Sequence, residues 1–377
     1  MDILLIGEFS RLHNSLKEGL EALGHRVVIV GFNDGFKNYP VDYPIVRKWN
    51  SAFLRKFKYG FHRMTGFNLN SYFTYRQFQK YQDQLKGFDV VQLINENPFY
   101  CGYDYEKKIL EFLFKNNRKA FLLCCSTDYL TVKYEFEHPQ KKSIIQPYLA
   151  GKISDKDFFN VLKFRKKEYQ KLHDFIYENI VGIIASDIDY DIPMQGDLKY
   201  LGMIPNPVNV AKIEAVPLPS LEKIVIFHGI NSENYYKKGN DYFEKALDVI
   251  QKKYQDKVEI ITTRSVPYAK YIESYNKAHI VLDMVYSFDQ GFNALEAMAK
   301  GKVVFTGAER EFEQFYGITQ KVNINAKPDV DYLVAELSGL IENPTQITAI
   351  GARARAFVEK EHDYIESAKK YLNTWTR

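Results

Sequence analysis

A chain of 377 residues, 46% hydrophobic and 26% charged, is long enough for two globular domains and has the composition of a soluble globular protein rather than a disordered one. Its net charge of +4 is too weak to argue for a nucleic-acid partner and suits an anionic small molecule or an anionic membrane surface. No apolar run approaches the ~20 residues that cross a bilayer, and Cys101, Cys124 and Cys125 have no metal-like spacing with histidine, which fits a reducing cytoplasm.

The first residues, Met1-Asp2-Ile3-Leu4-Leu5-Ile6-Gly7, enter a strand pattern at once and lack the basic segment and cleavage site of a secretory leader, so a cytoplasmic protein is expected. A strand over Ile3–Ile6, a loop, a helix over Asn14–Leu23 stopped by Gly24 and a strand over Arg26–Val30 form a βαβ unit, which predicts parallel strands. The first loop has no Gly-x-Gly-x-x-Gly, so the dinucleotide fingerprint is absent. Gly7, Glu8, His13 and Asn14 are its candidate site residues; Asn14 reads first as a helix cap, and His13 is a lone histidine. Residues 47–86 interleave aromatic side chains with lysine and arginine. Most of these aromatics are expected in the core beneath surface cations. The other readings are a basic amphipathic surface for an anionic membrane and a base-stacking surface. Apolar runs at Val90–Ile94, Ala120–Cys125 and Val181–Ala185 predict three more buried strands and a doubly wound sheet. Glu96 and Asp128 follow two strand ends, which makes them cleft candidates. Asp187-Ile188-Asp189 has the spacing of a metal-binding pair but no composition cue for one, so no metal is expected.

Ile204-Pro205-Asn206-Pro207-Val208 breaks all periodicity, and Pro217 and Pro219 follow, so the boundary between two α/β halves is expected between residues 204 and 221. Strands are then predicted at Ile224–Phe227, Val258–Thr262, Ile280–Val285, Val303–Thr306 and Val322–Ile324. Helices are predicted at Asp241–Lys253, Tyr268–Lys277, Phe292–Lys300, Val330–Ile341, Thr345–Lys360 and Asp363–Trp375. The expected organisation is an α/β chain of two Rossmann-like doubly wound domains, 1–204 and 205–362, with 363–377 as a closing helix. Tyr364, Ala368, Tyr371 and Leu372 share a stripe of that helix, which suits packing on either domain.

Ligands of open α/β sheets bind at the carboxyl ends of strands. The loop from His228 to Gly239 leaves such an end. It offers Asn231, a bare Gly229 for close backbone approach and Lys238 as a point charge for a diphosphate; a solvated basic turn is the other reading. The richest segment is 279–306. There Gly291 leaves the backbone bare where a helix starts, and a helix N-terminus offers unpaired N–H donors and partial positive charge to a phosphate. Asn293 and Glu296 follow in the first turns, and the Glu296 carboxylate is suited to accept hydrogen bonds from sugar hydroxyls. A phosphate seat beside a hydroxyl acceptor suits a nucleotide sugar. A buried crossover explains Ala297, Met298 and Val303 by packing alone, but not Gly291 with Asn293 and Glu296.

Leu295-Glu296-Ala297-Met298-Ala299-Lys300-Gly301-Lys302-Val303-Val304 resembles the donor-site segment of the GT-B glycosyltransferases, especially the large retaining family 4. The resemblance implies transfer of a sugar from a nucleotide diphosphate-sugar to a glycan or lipid-linked glycan, as in bacterial surface polysaccharide synthesis, with retained anomeric configuration and no metal. It implies catalytic roles for Lys238 and Glu296 and a donor site with His228, Gly229, Asn231, Arg264, Val266, Tyr268, Asp289, Gly291 and Asn293. In that comparison the loop at Arg264–Tyr268 packs on the nucleobase, Gly7, Glu8, His13, Asn14, Glu96 and Asp128 lie on the acceptor side, and the last helix crosses back to the first domain. Two positions depart from the family. Phe288 stands where its first glutamate is usual, with Asp289 and Gln290 adjoining, and Ile230 stands where an arginine is usual, leaving Lys237 or Arg264 to supply the cation. Both departures support the rival expectation of a non-catalytic relative that binds nucleotide, glycan or a partner enzyme. An epimerase or phosphorylase on the same fold is a third, though no lysine is convincingly placed for a pyridoxal cofactor. A lipid-linked acceptor would put the protein at the inner face of the membrane.

Overall fold

The computed structural model describes residues 1–33, 39–215 and 220–377, without the side chains of Tyr268 and Ala269. Pro217 and Pro219 lie outside the described residues. Seven strands form the first sheet: β1 (Asp2–Ile6), β2 (Arg26–Gly31), β3 (Tyr43–Pro44), β4 (Val90–Leu93), β5 (Lys119–Cys124), β6 (Gly182–Ala185) and β7 (Tyr200–Met203). Their order is β3-β2-β1-β4-β5-β6-β7, and every neighbouring pair is parallel. The continuous apolar runs follow from this, because helices cover both faces of a parallel sheet. Successive side chains alternate between the faces: Ile3 and Leu5 enter one core with Leu16 and Leu20, whereas Leu4 and Ile6 enter the other with Val91 and Leu110.

The second sheet contains β8 (Ile224–Ile230), β9 (Val258–Arg264), β10 (Ile280–Leu282), β11 (Val303–Thr306) and β12 (Ile324–Asn325), in the order β12-β11-β10-β8-β9, again all parallel. Each sheet therefore has one place where successive connections leave in opposite directions: between β1 and β4 in the first, and between β8 and β10 in the second. At such switch points the loops diverge and open a crevice at the strand ends. β10 stops at Leu282, three residues short of the expected end at Val285, because the Val285 N–H turns to donate to the carbonyl of Lys238, at 2.9 Å, in the neighbouring loop.

The closing helix, Tyr364–Thr376, lies on the first sheet, where Ala368, Tyr371 and Trp375 join Ile3, Leu5, Leu16 and Leu20 in one buried cluster. Its approach to the helix Leu12–Ala22 is close enough to require glycine there, since a Cβ at Gly19 would lie 2.2 Å from the Tyr364 carbonyl oxygen. The sequence pattern placed no helix at Tyr103–Asn116 or Lys167–Asn179, and it did not anticipate β3, β7, the helix Arg310–Tyr316 or the short helices between 129 and 165, which are brief elements with little periodicity. The aromatic stretch 47–86 is corrected more sharply. It forms the helices Ala52–Thr65 and Leu69–Tyr81, and although Phe78 is buried in the core, Trp49, Phe53, Phe57, Tyr59 and Phe67 are exposed.

Candidate active site

The crevice between β8 and β10 is lined by the loop after β8, which carries Lys238, and by the loop after β10, which begins with Asp283. Lys238 Nζ donates to Asp283 Oδ1 at 2.8 Å. The same oxygen accepts from Asn293 Nδ2 at 2.9 Å, and Asn293 Oδ1 accepts from the Tyr271 hydroxyl at 2.8 Å. Asp283 is buried, Lys238 half-buried. One buried carboxylate thus fixes an ammonium and the first turn of the helix Phe292–Ala299 relative to each other. That helix starts at Gly291, with no side chain capping it. A Cβ at Gly291 would meet no atom within 4 Å, so the backbone there is open to a ligand. Lys238 and Asn293, chosen from separate parts of the sequence, meet on one carboxylate oxygen, two residues from Gly291. Asp283, which joins them, was missed; a carboxylate inside the otherwise apolar run Ile280–Val285 was the available signal.

Glu296 lies on the next face of the same helix. With Phe292 and Lys300, one turn either side, it lines a cavity of about 340 Å³ whose other walls include Arg11 of the first loop and Asn209 and Lys212 of the segment joining the two sheets. The remaining donor-side candidates are spread more widely. His228 is fully buried and its Nε2 lies 2.8 Å from Asn240 Oδ1; burial lowers its pKa, so the ring is neutral and reaches a ligand only through its neighbours. Gly229 is small because Tyr271 packs on it: a Cβ there would lie 2.4 Å from Tyr271 Cε2. Asn231 Oδ1 accepts from Glu233 N at 3.0 Å, a turn contact. Arg264 pairs with Glu244 and lies over the Tyr235 ring. Val266 is half-buried, while the Tyr268 side chain lies outside the described residues.

In the first half, Gly7 has a left-handed backbone, and a Cβ on it would lie 2.4 Å from Ile94 Cγ2. Glu8, not Asn14, caps the following helix, since its Oε2 accepts from Asn14 N at 2.8 Å and from Asn14 Nδ2 at 2.6 Å. His13 is buried, with Nδ1 2.7 Å from the Gly7 carbonyl oxygen; burial pushes its pKa down to about 4, so it is neutral at pH 7 and structural. Glu96 and Asp128 do meet. Glu96 Oε1 lies 2.5 Å from His173 Nδ1, and Glu96 Oε2 accepts from Tyr129 N at 2.9 Å. Burial lowers the His173 pKa, but the hydrogen bond and charge of Glu96 outweigh it and hold the imidazole above its ordinary value. Asp128 caps the helix Tyr129–Glu137 through Thr131 N at 2.7 Å, and burial next to Glu96 pushes its pKa up to about 6.

The two halves touch through charged groups. Asp189 Oδ1 accepts from Phe288 N at 3.0 Å and its Oδ2 from Ser287 Oγ at 2.5 Å, while Asp289 Oδ2 accepts from Ile188 N at 3.4 Å. Lys142 reaches Glu309 at 2.8 Å and Lys152 reaches Asp241 at 2.7 Å. Asp187 and Asp189 therefore lie in the seam between the halves, with Asp289 facing them. The Phe288 ring lines a small cavity there with Glu135, Lys142 and Asp189. Burial and then the charges of Asp189 and Asp128 push the Glu135 carboxyl up to about 8. Its acidity is set by burial and by Asp189, 54 residues away in the chain, so no local sequence pattern marks it.

Residues 234–373 match a family model described as glycosyl transferase-like. No curated protein matches the chain in sequence. Among solved structures, the chain resembles the sucrose-phosphate synthase of Thermosynechococcus elongatus at 12% identity and a TM-score of 0.59, with 100% of this chain and 98% of that one covered. It resembles HepE of Anabaena, solved in complex with UDP and glucose, at 11% identity and a TM-score of 0.59, with 100% and 99% covered. A third likeness is to TarM of S. aureus, solved with UDP, at 12% identity and a TM-score of 0.52, covering 81% of this chain and 59% of that one. At such identities the structural likenesses speak for the fold, and the family match lies wholly within the second half. With two parallel sheets, each open at its switch point, this chain has the two-sheet fold of those structures, and its residues 234–373 are similar to the glycosyl transferase-like family.

Proposed function

We propose that the chain transfers a sugar from a nucleoside diphosphate donor to a glycan acceptor, a precursor of a bacterial surface polysaccharide, with retention at the anomeric carbon and without a metal ion. The observation that carries the donor half of this reading is the meeting of Lys238 with the uncapped helix start at Gly291 through Asp283. In transfer the bond from the anomeric carbon to the phosphate oxygen breaks, a bond to the acceptor oxygen forms, the electron pair stays on the diphosphate, and the acceptor's hydroxyl proton passes to the departing phosphate oxygen. The charge that grows there is met by the Lys238 ammonium and the first-turn amides, groups already oriented before the reaction. Glu296 accepts from the ribose hydroxyls in the cavity it lines. The seam between the halves excludes water and limits hydrolysis of the donor. Retention and the acceptor class rest on the resemblance of the 295–304 segment.

Calorimetry with UDP, GDP, ADP and TDP, followed by turnover with the nucleotide that binds, tests the reading. One of the four is expected to bind, and turnover is expected to survive EDTA. Lys238→Ala is expected to lower kcat by about 10²-fold or more, the usual loss when an oriented group facing transition-state charge is removed. Flat isotherms for all four nucleotides, or full activity of Lys238→Ala, would remove the proposed site.

A further inference from the structure

We propose that the helix Ala52–Thr65 and the turns flanking it form a surface that docks on an anionic lipid bilayer. Between Asp42 and Asp83 the sequence has no carboxylate and eight lysines and arginines, in a chain whose net charge is +4. The stretch thus carries +8 and everything else −4 (4 − 8), so the cationic excess is local.

The helix is amphipathic, but its apolar stripe does not face the protein. At 100° per residue Phe53, Phe57 and Met64 fall within a 40° arc, and they are 78%, 49% and 87% exposed. The helix is held from another side. Lys58, its one buried residue, donates to the Lys48 carbonyl at 2.9 Å and to Asn70 Oδ1 at 2.5 Å. Phe57, Phe61 and Phe67 continue the stripe as a row of ring contacts at 6.1 and 6.4 Å, and exposed Trp49 lies at the other end of the helix. Lys56 and Arg63 project beside the stripe on its outer edge. Large apolar side chains left in water at this density mark an interaction surface. Flanking cations without a single anion select a partner that is apolar just below a negatively charged layer, which describes the headgroup boundary of an anionic membrane. Among the described residues no helix is long and apolar enough to cross a membrane, so the contact is peripheral. It stands whether or not Lys238 serves a diphosphate.

Co-sedimentation of the full chain with phosphatidylcholine vesicles, with and without roughly one third phosphatidylglycerol, decides it. Binding is expected only to the anionic vesicles and is expected to fall as salt rises from ~0.1 M to ~1 M, where screening is nearly complete. The pairs Phe53→Ser/Met64→Ser and Lys56→Glu/Arg63→Glu are each expected to cut partitioning by about tenfold or more. Because the replaced side chains are exposed, thermal unfolding should be unchanged, which separates lost docking from lost folding. No binding, equal binding to both vesicle types, or wild-type binding by either pair overturns the proposal. A solution dimer that Phe53→Ser/Met64→Ser dissociates, without vesicle binding, assigns the stripe to a second copy instead.

Discussion

Asp283 decides how Lys238 behaves. An ammonium on a long flexible stem loses much rotamer freedom when it is fixed, and here a buried carboxylate fixes it before any ligand arrives. The same carboxylate holds Asn293 and places negative charge close to where a diphosphate would bind. Removing it should therefore separate binding from turnover. Asp283→Asn is expected to leave nucleotide diphosphate affinity unchanged or tighter while kcat falls about 10–100-fold through misplacement of Lys238; calorimetry and steady-state kinetics on one preparation read both. Loss of affinity in step with kcat would show that Asp283 supports the local fold instead. The histidines make the opposite point. His13 and His228 were visible in the sequence as candidate site residues, yet both are buried, their pKa values lowered by that burial. A residue type names a chemistry only when its environment leaves the group accessible and titratable.

At the scale of elements, two glycines of the second half, Gly229 in β8 and Gly291 at a helix start, do different things. Gly291 has φ −72° and open space where a Cβ would be, so its bareness is of no use to the folded protein alone. Gly229 is pressed against Tyr271. Gly291→Ala is expected to leave the unfolding temperature within error and to weaken nucleotide binding, whereas Gly229→Ala is expected to destabilise by about 1–3 kcal/mol through overpacking. Thermal unfolding and calorimetry on the two variants check this, and a destabilised Gly291→Ala would contradict the idea of a seat kept open for ligand. The 291–304 segment was legible because a strand–loop–helix–strand run is local: its apolar period, its glycine stop and its helix start lie within 14 consecutive residues. The exposed side of the helix Ala52–Thr65 was not, since amphipathic spacing shows that a helix has an apolar face and not what that face meets.

At the scale of the whole molecule the seam is built from acids of both halves. Burial and then the charge of Asp189 push the Asp289 carboxyl up to about 7; burial with Asp189 and Asp289 pushes Asp187 well above its ordinary value. A carboxyl that titrates near 7 when folded and near ~4 when unfolded keeps its proton longer in the folded chain. The stability this provides is complete below about 4, is lost as pH rises from ~4 to ~7, and stays lost above. Asp289→Asn should therefore gain on the wild type as pH rises. The unfolding temperature of the variant relative to wild type is expected to be higher at pH 8 than at pH 5 by about 2–4 °C, the effect of roughly 1 kcal/mol in a domain of 150–250 residues. A difference independent of pH would mean that Asp289 is not the titrating group.

The alternation of apolar strands with helices, the break at Pro205 and Pro207, the loop glycine at 291 and the lysine at 238 were all readable along the chain, because secondary structure and strand-end loops depend on neighbours a few residues away. Which loops share a crevice, that Asp283 bridges two of them, that burial and Asp189 raise the Glu135 pKa and that the closing helix buries Trp375 against the first sheet were decided by the tertiary structure. Those facts depend on strand order and on desolvation by residues about 50 to 370 positions away, and neither leaves a periodic trace in the amino-acid sequence.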